Sequence, residues 1–386
     1  MNRLLQFARF ALGLVIFVLV LELCARVDDF LSYGAPFWDT YDDQILYVRD
    51  NIGKWGRPGA RYQKWQLNNL GYRGPELRPG GVRIVCLGSS ETFGQYEAPG
   101  EEYPRQLERK LNARFGRELF QVVNAAYPGE TLGTATRRLK EIVEQVHPAY
   151  AIIYPSVATY IWSPPTAEGT ASSGSGEMET KQPERHYEWR IAGRLRNLLK
   201  EILPTIVQTY LREWQIKEQA REYSVMERIP EENVIRFRGD LSKLLGALRG
   251  YRVEPILVTH ATAFGKNLTD WDRDLLIAWR KFYPMLNENG FNDMEERMND
   301  AIRNVATGEH VLLIDAADEI PPGRAYFADF SHFTSAGAEI MASRLADGLQ
   351  PLIDSRLRKE TSPPRLSSAF LKSHSLPQSQ SLRDEH

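Results

Sequence analysis

Five short runs of aliphatic and β-branched residues punctuate the chain: Val82–Leu87 (VRIVCL), Phe120–Asn124 (FQVVN), Tyr150–Tyr154 (YAIIY), Val253–Thr259 (VEPILVT) and Val311–Asp315 (VLLID). None alternates apolar with polar positions, so each reads as a strand covered on both faces. Helical periodicity separates them. In Tyr103–Phe115, Leu107 and Leu111 lie four apart, and Pro104 suits a first turn. Thr134–Val146 repeats apolar residues at Leu139, Ile142, Val143 and Val146. Asp270–Val305 predicts two helices broken near Pro284 or Gly290, and Ser335–Leu352 predicts a closing helix. Strands alternating with helices imply a parallel sheet flanked on both faces, an α/β fold with three layers.

Three stretches do not fit that alternation. Residues 28–80 are rich in Gly, Pro, Trp and Tyr with little periodicity, and read as an irregular lead-in. About a hundred residues separate the third run from the fourth. They open on the polar stretch Thr166–Glu184 and continue with helical patterns over Tyr187–Glu218, interrupted near Pro204, and Pro230–Leu248. We read 163–250 as a flexible loop plus a helical insertion, either a cap over the site or peripheral decoration, with the cap preferred. Residues 353–386 form a charged, Ser/Pro-rich tail expected to be disordered. The domain proper is then 81–352.

The N-terminus carries the longest apolar pattern. Every residue from Phe10 to Leu21 is apolar or Gly, with Arg3 and Arg9 before it and Glu22 and Arg26 after it. Counting Phe7 to Val27, with the arginines snorkelling, reaches the roughly 20 residues that a membrane span needs. Positive charge ahead of the run predicts a single-pass topology, with a cytoplasmic N-terminus and an exported remainder. LELCARVDDF lacks a small-x-small cleavage site, so an anchor over 1–27 is preferred to a cleaved signal peptide.

Composition narrows the partners. A formal net charge of −2 over 386 residues gives no support to nucleic-acid binding. Two cysteines, Cys24 and Cys86, make a disulfide framework improbable, and no Cys/His spacing suits zinc.

In open parallel sheets, ligands bind outside the carboxyl ends of the strands. The first run is followed by Gly88-Ser89-Ser90-Glu91-Thr92-Phe93-Gly94, the second by Asn124-Ala125-Ala126-Tyr127-Pro128-Gly129, the third by Pro155-Ser156-Val157-Ala158-Thr159, the fourth by His260 and the fifth, past a loop, by Asp329-Phe330-Ser331-His332. A hydroxyl, an imidazole and a carboxylate thus meet at one rim, which is the inventory of serine acyl transfer. Ser90 is the candidate nucleophile and His332 the base. Asp329, three residues before His332, either orients that ring or caps the helix that follows, and orientation is preferred. The N–H groups of Ser90 and Gly129 are candidate oxyanion donors. His260 reads as structural or substrate-contacting before it reads as catalytic.

These blocks resemble the SGNH hydrolase (GDSL esterase/lipase) superfamily. GSSETFG at Gly88–Gly94 is similar to its first block, with Ser89 in place of the usual Asp; Asn124–Gly129 is similar to its second, and DFSHFTSAG at Asp329–Gly337 to its last. NNLGYRGPE at Asn68–Glu76 also fits. The resemblance covers about 65–165 and 250–352. It implies a flavodoxin-like sheet in the order 2-1-3-4-5, a Ser90–His332–Asp329 triad with Ser90 and Gly129 in the oxyanion hole, and no metal or organic cofactor. The third block departs: where the family usually has an Asn donor stands Ser156-Val157-Ala158-Thr159, so Ser156 or Thr159 would have to replace it. The implied activity is hydrolysis of an ester through an acyl-serine, with O-acetyl groups of an envelope polysaccharide as leading substrate and a lipid or small acyl ester close behind. An O-acyltransferase using the same triad, and a catalytically degenerate binding or assembly module, are the alternatives.

Overall fold

The computed structural model describes residues 2–39, 41–116, 118–161, 189–202, 225–265 and 268–361. The polar stretch 166–184, Pro204 and the chain beyond 361 lie outside them. Residues 1–346 form one compact unit and residues from 347 a second.

The chain opens with helix α1 (Asn2–Tyr33), longer than the predicted 1–27. From Leu5 onward it is long and apolar enough to cross a membrane, a property that a signal sequence shares. Most of its Leu, Ile, Val and Phe side chains from Leu5 onward are exposed, with Val18 half-buried. The exception is its far end, where Glu22 and Arg26 pair at 2.8 Å and are both buried.

The lead-in is more ordered than its composition suggested. A 3-10 turn (Asp43–Leu46) precedes two small hairpins, β1 (Tyr47–Arg49) with β2 (Lys54–Gly56) and β3 (Arg61–Tyr62) with β4 (Trp65–Gln66). Leu46, Tyr47 and Leu67 form a cluster with Phe93 and Tyr127 of the main domain, joined by Trp55, Tyr62 and Trp65. Aromatic residues without periodicity can still bury a large apolar area when distant loops supply the other half. That is what the sequence pattern alone did not reveal.

The five predicted strands are β5 (Val82–Gly88), β6 (Phe120–Asn124), β7 (Tyr150–Tyr154), β8 (Glu254–Val258) and β9 (Leu312–Ile314). They form one parallel sheet in the order β6-β5-β7-β8-β9, the implied 2-1-3-4-5. Both faces are covered, as the unbroken apolar runs require. Val85 and Leu87 join a core cluster on one face, while Ile84 and Cys86, alternating with them along the strand, are equally buried on the other.

Connecting β5 to β6 are α2 (Ser90–Phe93) and α3 (Tyr103–Phe115). Helix α4 (Leu132–Val146) is capped by Thr131, whose hydroxyl accepts the Thr134 N–H at 3.1 Å. From the long interval after β7, α5 (Arg190–Ile202) and α6 (Glu231–Gly250) are described. Helix α6 is no insertion. Phe237, Leu241, Leu244, Leu245 and Leu248 are fully buried in the cluster that also holds Leu139 of α4 and Ile302, and α6 leads directly into β8. Each such side chain contributes about 1.5–3 kcal/mol, so α6 is the crossover helix that a right-handed parallel connection demands, and the extra segment is shorter than 163–250. Its helix α5 lies against α1, not over the site: Arg194 reaches Asp28 and Asp29 at 2.7 Å each, and Glu22 accepts the Ile191 N–H at 3.0 Å.

Helices α7 (Asp270–Phe282) and α8 (Glu288–Gly308) are the predicted pair, and the break falls between them at 283–287, around Pro284. A capping box of Thr269 with Asp272 starts α7, and Asn287 caps α8. After β9 come the short α9 (Ala316–Glu319) and α10 (Ser335–Thr361). Helix α10 overruns the predicted boundary, so 353–361 are helical, not tail: Leu349, Ile353 and Leu357 keep a four-residue spacing that the surrounding charges obscure.

Candidate active site

Strand β5 delivers Gly88 into a space where only glycine fits. A Cβ there would stand 2.1 Å from Thr92 Oγ1 and 2.7 Å from the Tyr154 carbonyl oxygen. The next two residues turn the chain, and Ser90 opens the single-turn helix α2, which ends at Gly94 in the left-handed region. Two groups, one from the lead-in and one from β6, brace this turn. The Arg73 guanidinium donates to the carbonyls of Phe93 and Gly94 and pairs with Glu102 at 3.3 Å, all of it buried. Asn124 Nδ2 donates to Thr92 O at 2.8 Å. The position of Ser90 is therefore set by residues far away in sequence.

His332 is held from one side. Its Nδ1 lies 2.9 Å from both Asp329 Oδ1 and Oδ2. Asp329 Oδ1 also accepts the backbone N–H groups of Ser331 at 3.0 Å and His332 at 2.9 Å, which locks the D-x-x-H turn. A neutral ring that donates through Nδ1 presents a lone pair on Nε2. That Nε2 is buried and makes no hydrogen bond. Burial alone would lower the His332 pKa, but the Asp329 hydrogen bond and the charges of Glu91, Asp329 and Glu97 outweigh it, and the net shift is upward. Burial likewise pushes the Asp329 carboxyl up, and the bond from His332 more than reverses this, leaving it below the ordinary range. Tyr96 lies edge-on to the His332 ring, 5.4 Å between centroids, and Phe330 stands 6.2 Å away.

The structure brings the predicted residues to one rim, with a difference in detail. Ser90 Oγ points to Glu91 Oε2 at 3.3 Å and makes no bond to His332 Nε2. A staggered rotation about χ1 would re-aim it, and such contacts commonly tighten only with substrate bound. The Gly129 N–H donates to Ser89 Oγ at 3.0 Å, so the serine that replaces the usual Asp ties the second block to the first. Ser156 Oγ donates to Glu91 Oε1 at 3.3 Å, and Thr159 Oγ1 donates to the Ser156 carbonyl at 2.8 Å. Of those two hydroxyls, Ser156 faces Glu91, the neighbour of Ser90. Ala158 packs against the main core.

Glu91 went unnoticed in the sequence, although a carboxylate between a buried strand and a glycine is a signal. It is 5% exposed. Besides Ser90 and Ser156 it takes Ser331 Oγ at 3.4 Å, and His260 Nε2 stands 3.7 Å away. His260 is buried and stacked on Tyr154, 5.5 Å between centroids and 18° between planes, with Nδ1 2.9 Å from Glu295 Oε2. Its backbone is clamped by Asn299, which lies on α8 with Glu295. Burial would neutralise His260, but Glu295 and Glu91 keep it charged. Burial would also protonate Glu91, and the two imidazoles hold it ionised instead. Among the described residues no cluster of three or more His, Cys, Asp or Glu suits a metal.

The sequence profile of the GDSL-like Lipase/Acylhydrolase family matches residues 86–340, a stretch that includes Ser90, Gly129, Asp329 and His332. No curated protein matches the chain. Among solved structures it is similar to a catalytic mutant of an acetylxylan esterase from Geobacillus stearothermophilus (15% identity, 71% of this chain and 96% of that one, TM-score 0.40). It is also similar to an alpha/beta hydrolase from the metagenome of Lake Arreo, Spain (16%, 70% and 95%, 0.39), and to a GDSL-like lipase from Bacteroides thetaiotaomicron (12%, 70% and 88%, 0.37).

Proposed function

The chain belongs to the GDSL-like lipase/acylhydrolase family, and from that premise we propose that it is a serine esterase, anchored in a membrane by α1 with its catalytic domain exported. The observation that carries the reading is the buried, unpartnered Nε2 of His332, with Nδ1 fixed by Asp329, in a loop joined to the Ser90 turn through Glu91.

The steps follow from those groups. Ser90 Oγ turns to His332, gives its proton to Nε2 and attacks the ester carbonyl carbon. The C=O electron pair moves onto oxygen, and the oxyanion accepts hydrogen bonds from the Ser90 N–H, from the Gly129 N–H, shared with Ser89 Oγ, and from the Ser156 hydroxyl once it turns away from Glu91. Collapse breaks the C–O bond, and the leaving alkoxide takes the proton from His332. Water, deprotonated by His332, then attacks the acyl carbon, the bond from that carbon to Ser90 Oγ breaks, His332 returns the proton to Ser90 Oγ, and the acid leaves. Asp329 keeps the ring in one tautomer and stabilises the imidazolium in both halves. O-acetyl groups on an envelope polysaccharide are the substrate we favour, because an exported site would face them.

A second reading has one observation in its favour. The Gly129 N–H is already occupied by Ser89, and the third block has no amide side chain. A site short of free oxyanion donors suits a binding or assembly module in the same location. Full-length protein in detergent, treated with a fluorophosphonate probe and with p-nitrophenyl acetate beside Ser90→Ala, separates the two. Labelling and turnover that the variant abolishes support the esterase; an unlabelled wild type supports the module. Acetylated glycan formed on adding polysaccharide would mark a transferase.

A further inference from the structure

Glu91 is a buried carboxylate that no part of the acyl-serine scheme uses. Sinking such a charge costs several kcal/mol unless its oxygens are satisfied. Here the satisfaction comes from four separate elements: Ser90 of α2 on Oε2, and on Oε1 Ser156 after β7 and Ser331 beside the base, with His260 after β8 at ion-pair distance. A carboxylate needed only for folding would be content with the charged His260. This one also takes the nucleophile's own hydroxyl and that of the residue preceding His332.

We propose that Glu91 is a positioning residue of the acyl-transfer step: it gathers the Ser90 and Ser331 hydroxyls beside His332 and supplies a second negative charge, besides Asp329, to the imidazolium that His332 becomes. The inference rests on the acyl-serine reading. His260 is the counter-charge that makes it workable. Held between Glu91 and Glu295, stacked on Tyr154 and clamped by Asn299, His260 keeps Glu91 ionised and therefore a weak base. The Ser90 proton consequently goes to His332 Nε2 and not to the nearer carboxylate. With His260 charged, Glu91, His260 and Glu295 together carry one net negative charge at the base. The groups facing His332 are Asp329 from its own turn, Glu91 from α2, and Tyr96 and Glu97 from the loop after α2.

The test is the pH dependence of fluorophosphonate labelling and of kcat/KM on p-nitrophenyl acetate, with full-length wild type, Glu91→Gln and Glu91→Asp. His332 must be neutral to act, so activity falls on the acid side. Glu91→Gln keeps size and an acceptor oxygen but deletes the charge, and the acid limb should move down by about one pH unit. Glu91→Asp keeps the charge and should leave the limb near its wild-type place, which a merely structural role would not predict. An unmoved limb in folded Glu91→Gln overturns the proposal. If that variant fails to fold, the wild type decides: its limb should stand above the ordinary histidine value of about 6.5, and a limb at or below that value overturns the proposal. Wild type that is unlabelled, or labelled equally in Ser90→Ala, removes the acyl-serine reading and this inference with it. Ser90-dependent labelling with an unmoved limb removes the inference alone.

Discussion

Asp329 grips His332 twice over: both of its carboxylate oxygens stand 2.9 Å from the ring Nδ1, and one of them also takes the His332 backbone N–H at 2.9 Å. Orientation of the ring and closure of the turn thus come from a single side chain. Asp329→Asn separates the two. The amide oxygen can still accept the backbone N–H groups, so the melting temperature should change little. Its NH2 would face Nδ1, however, and force the wrong tautomer. We expect kcat on p-nitrophenyl acetate to fall about 10³–10⁴-fold. Loss of less than tenfold would remove Asp329 from the proposed triad.

Glu97 offers a test of stability against pH. It is 1% exposed, its Oε1 has no hydrogen-bond partner, and burial raises its pKa to about 7, partly opposed by backbone N–H groups and by Arg73 and His332. The unfolded chain releases that proton near 4.5. The folded state therefore binds more protons between those values, and stability is lost as pH rises from 4.5 through about 7. Glu97→Gln does not titrate. It should gain on the wild type by up to roughly 3 kcal/mol at pH 8, a difference that vanishes below pH 4.5. Chemical denaturation at pH 4, 6 and 8 reads this directly, and a pH-independent difference would contradict it.

The lead-in can be probed at Gly71. Its φ is +84°, and a Cβ would lie 2.2 Å from the Gly56 carbonyl oxygen, backbone that cannot swing aside. Gly71→Ala should cost about 3 kcal/mol or more. Arg73, two residues on, braces the Ser90 turn, so fluorophosphonate labelling should slow along with the loss of stability. Full labelling at an unchanged melting point would mean that the lead-in is independent of the site.

Membrane attachment predicts that the full chain stays in the membrane fraction after alkaline carbonate extraction, while a chain beginning at Gly34 is released. A periplasmic reporter enzyme fused after Thr361 should be active if the domain is exported. Release of the intact full-length chain by carbonate would argue against α1 as an anchor.

The sequence by itself determined the five strands, their helices and the residue types at the rim. Those features are local: an apolar run with no polar alternation must be covered on both sides, and a Gly-Ser-Ser turn or a D-x-x-H turn closes within a few residues. Tertiary structure alone decided what surrounds them. Glu91 meets Ser156 65 residues away and Ser331 240 residues away, and no spacing rule relates positions so distant. The lead-in looked shapeless because the apolar residues it packs against, Phe93 and Tyr127 among them, lie beyond it in the chain, and α6 looked like an insertion because its role as a crossover depends on which strands it joins. Short-range sterics are written along the chain; the pairing of buried charges is settled only when packing excludes water and each must find a partner.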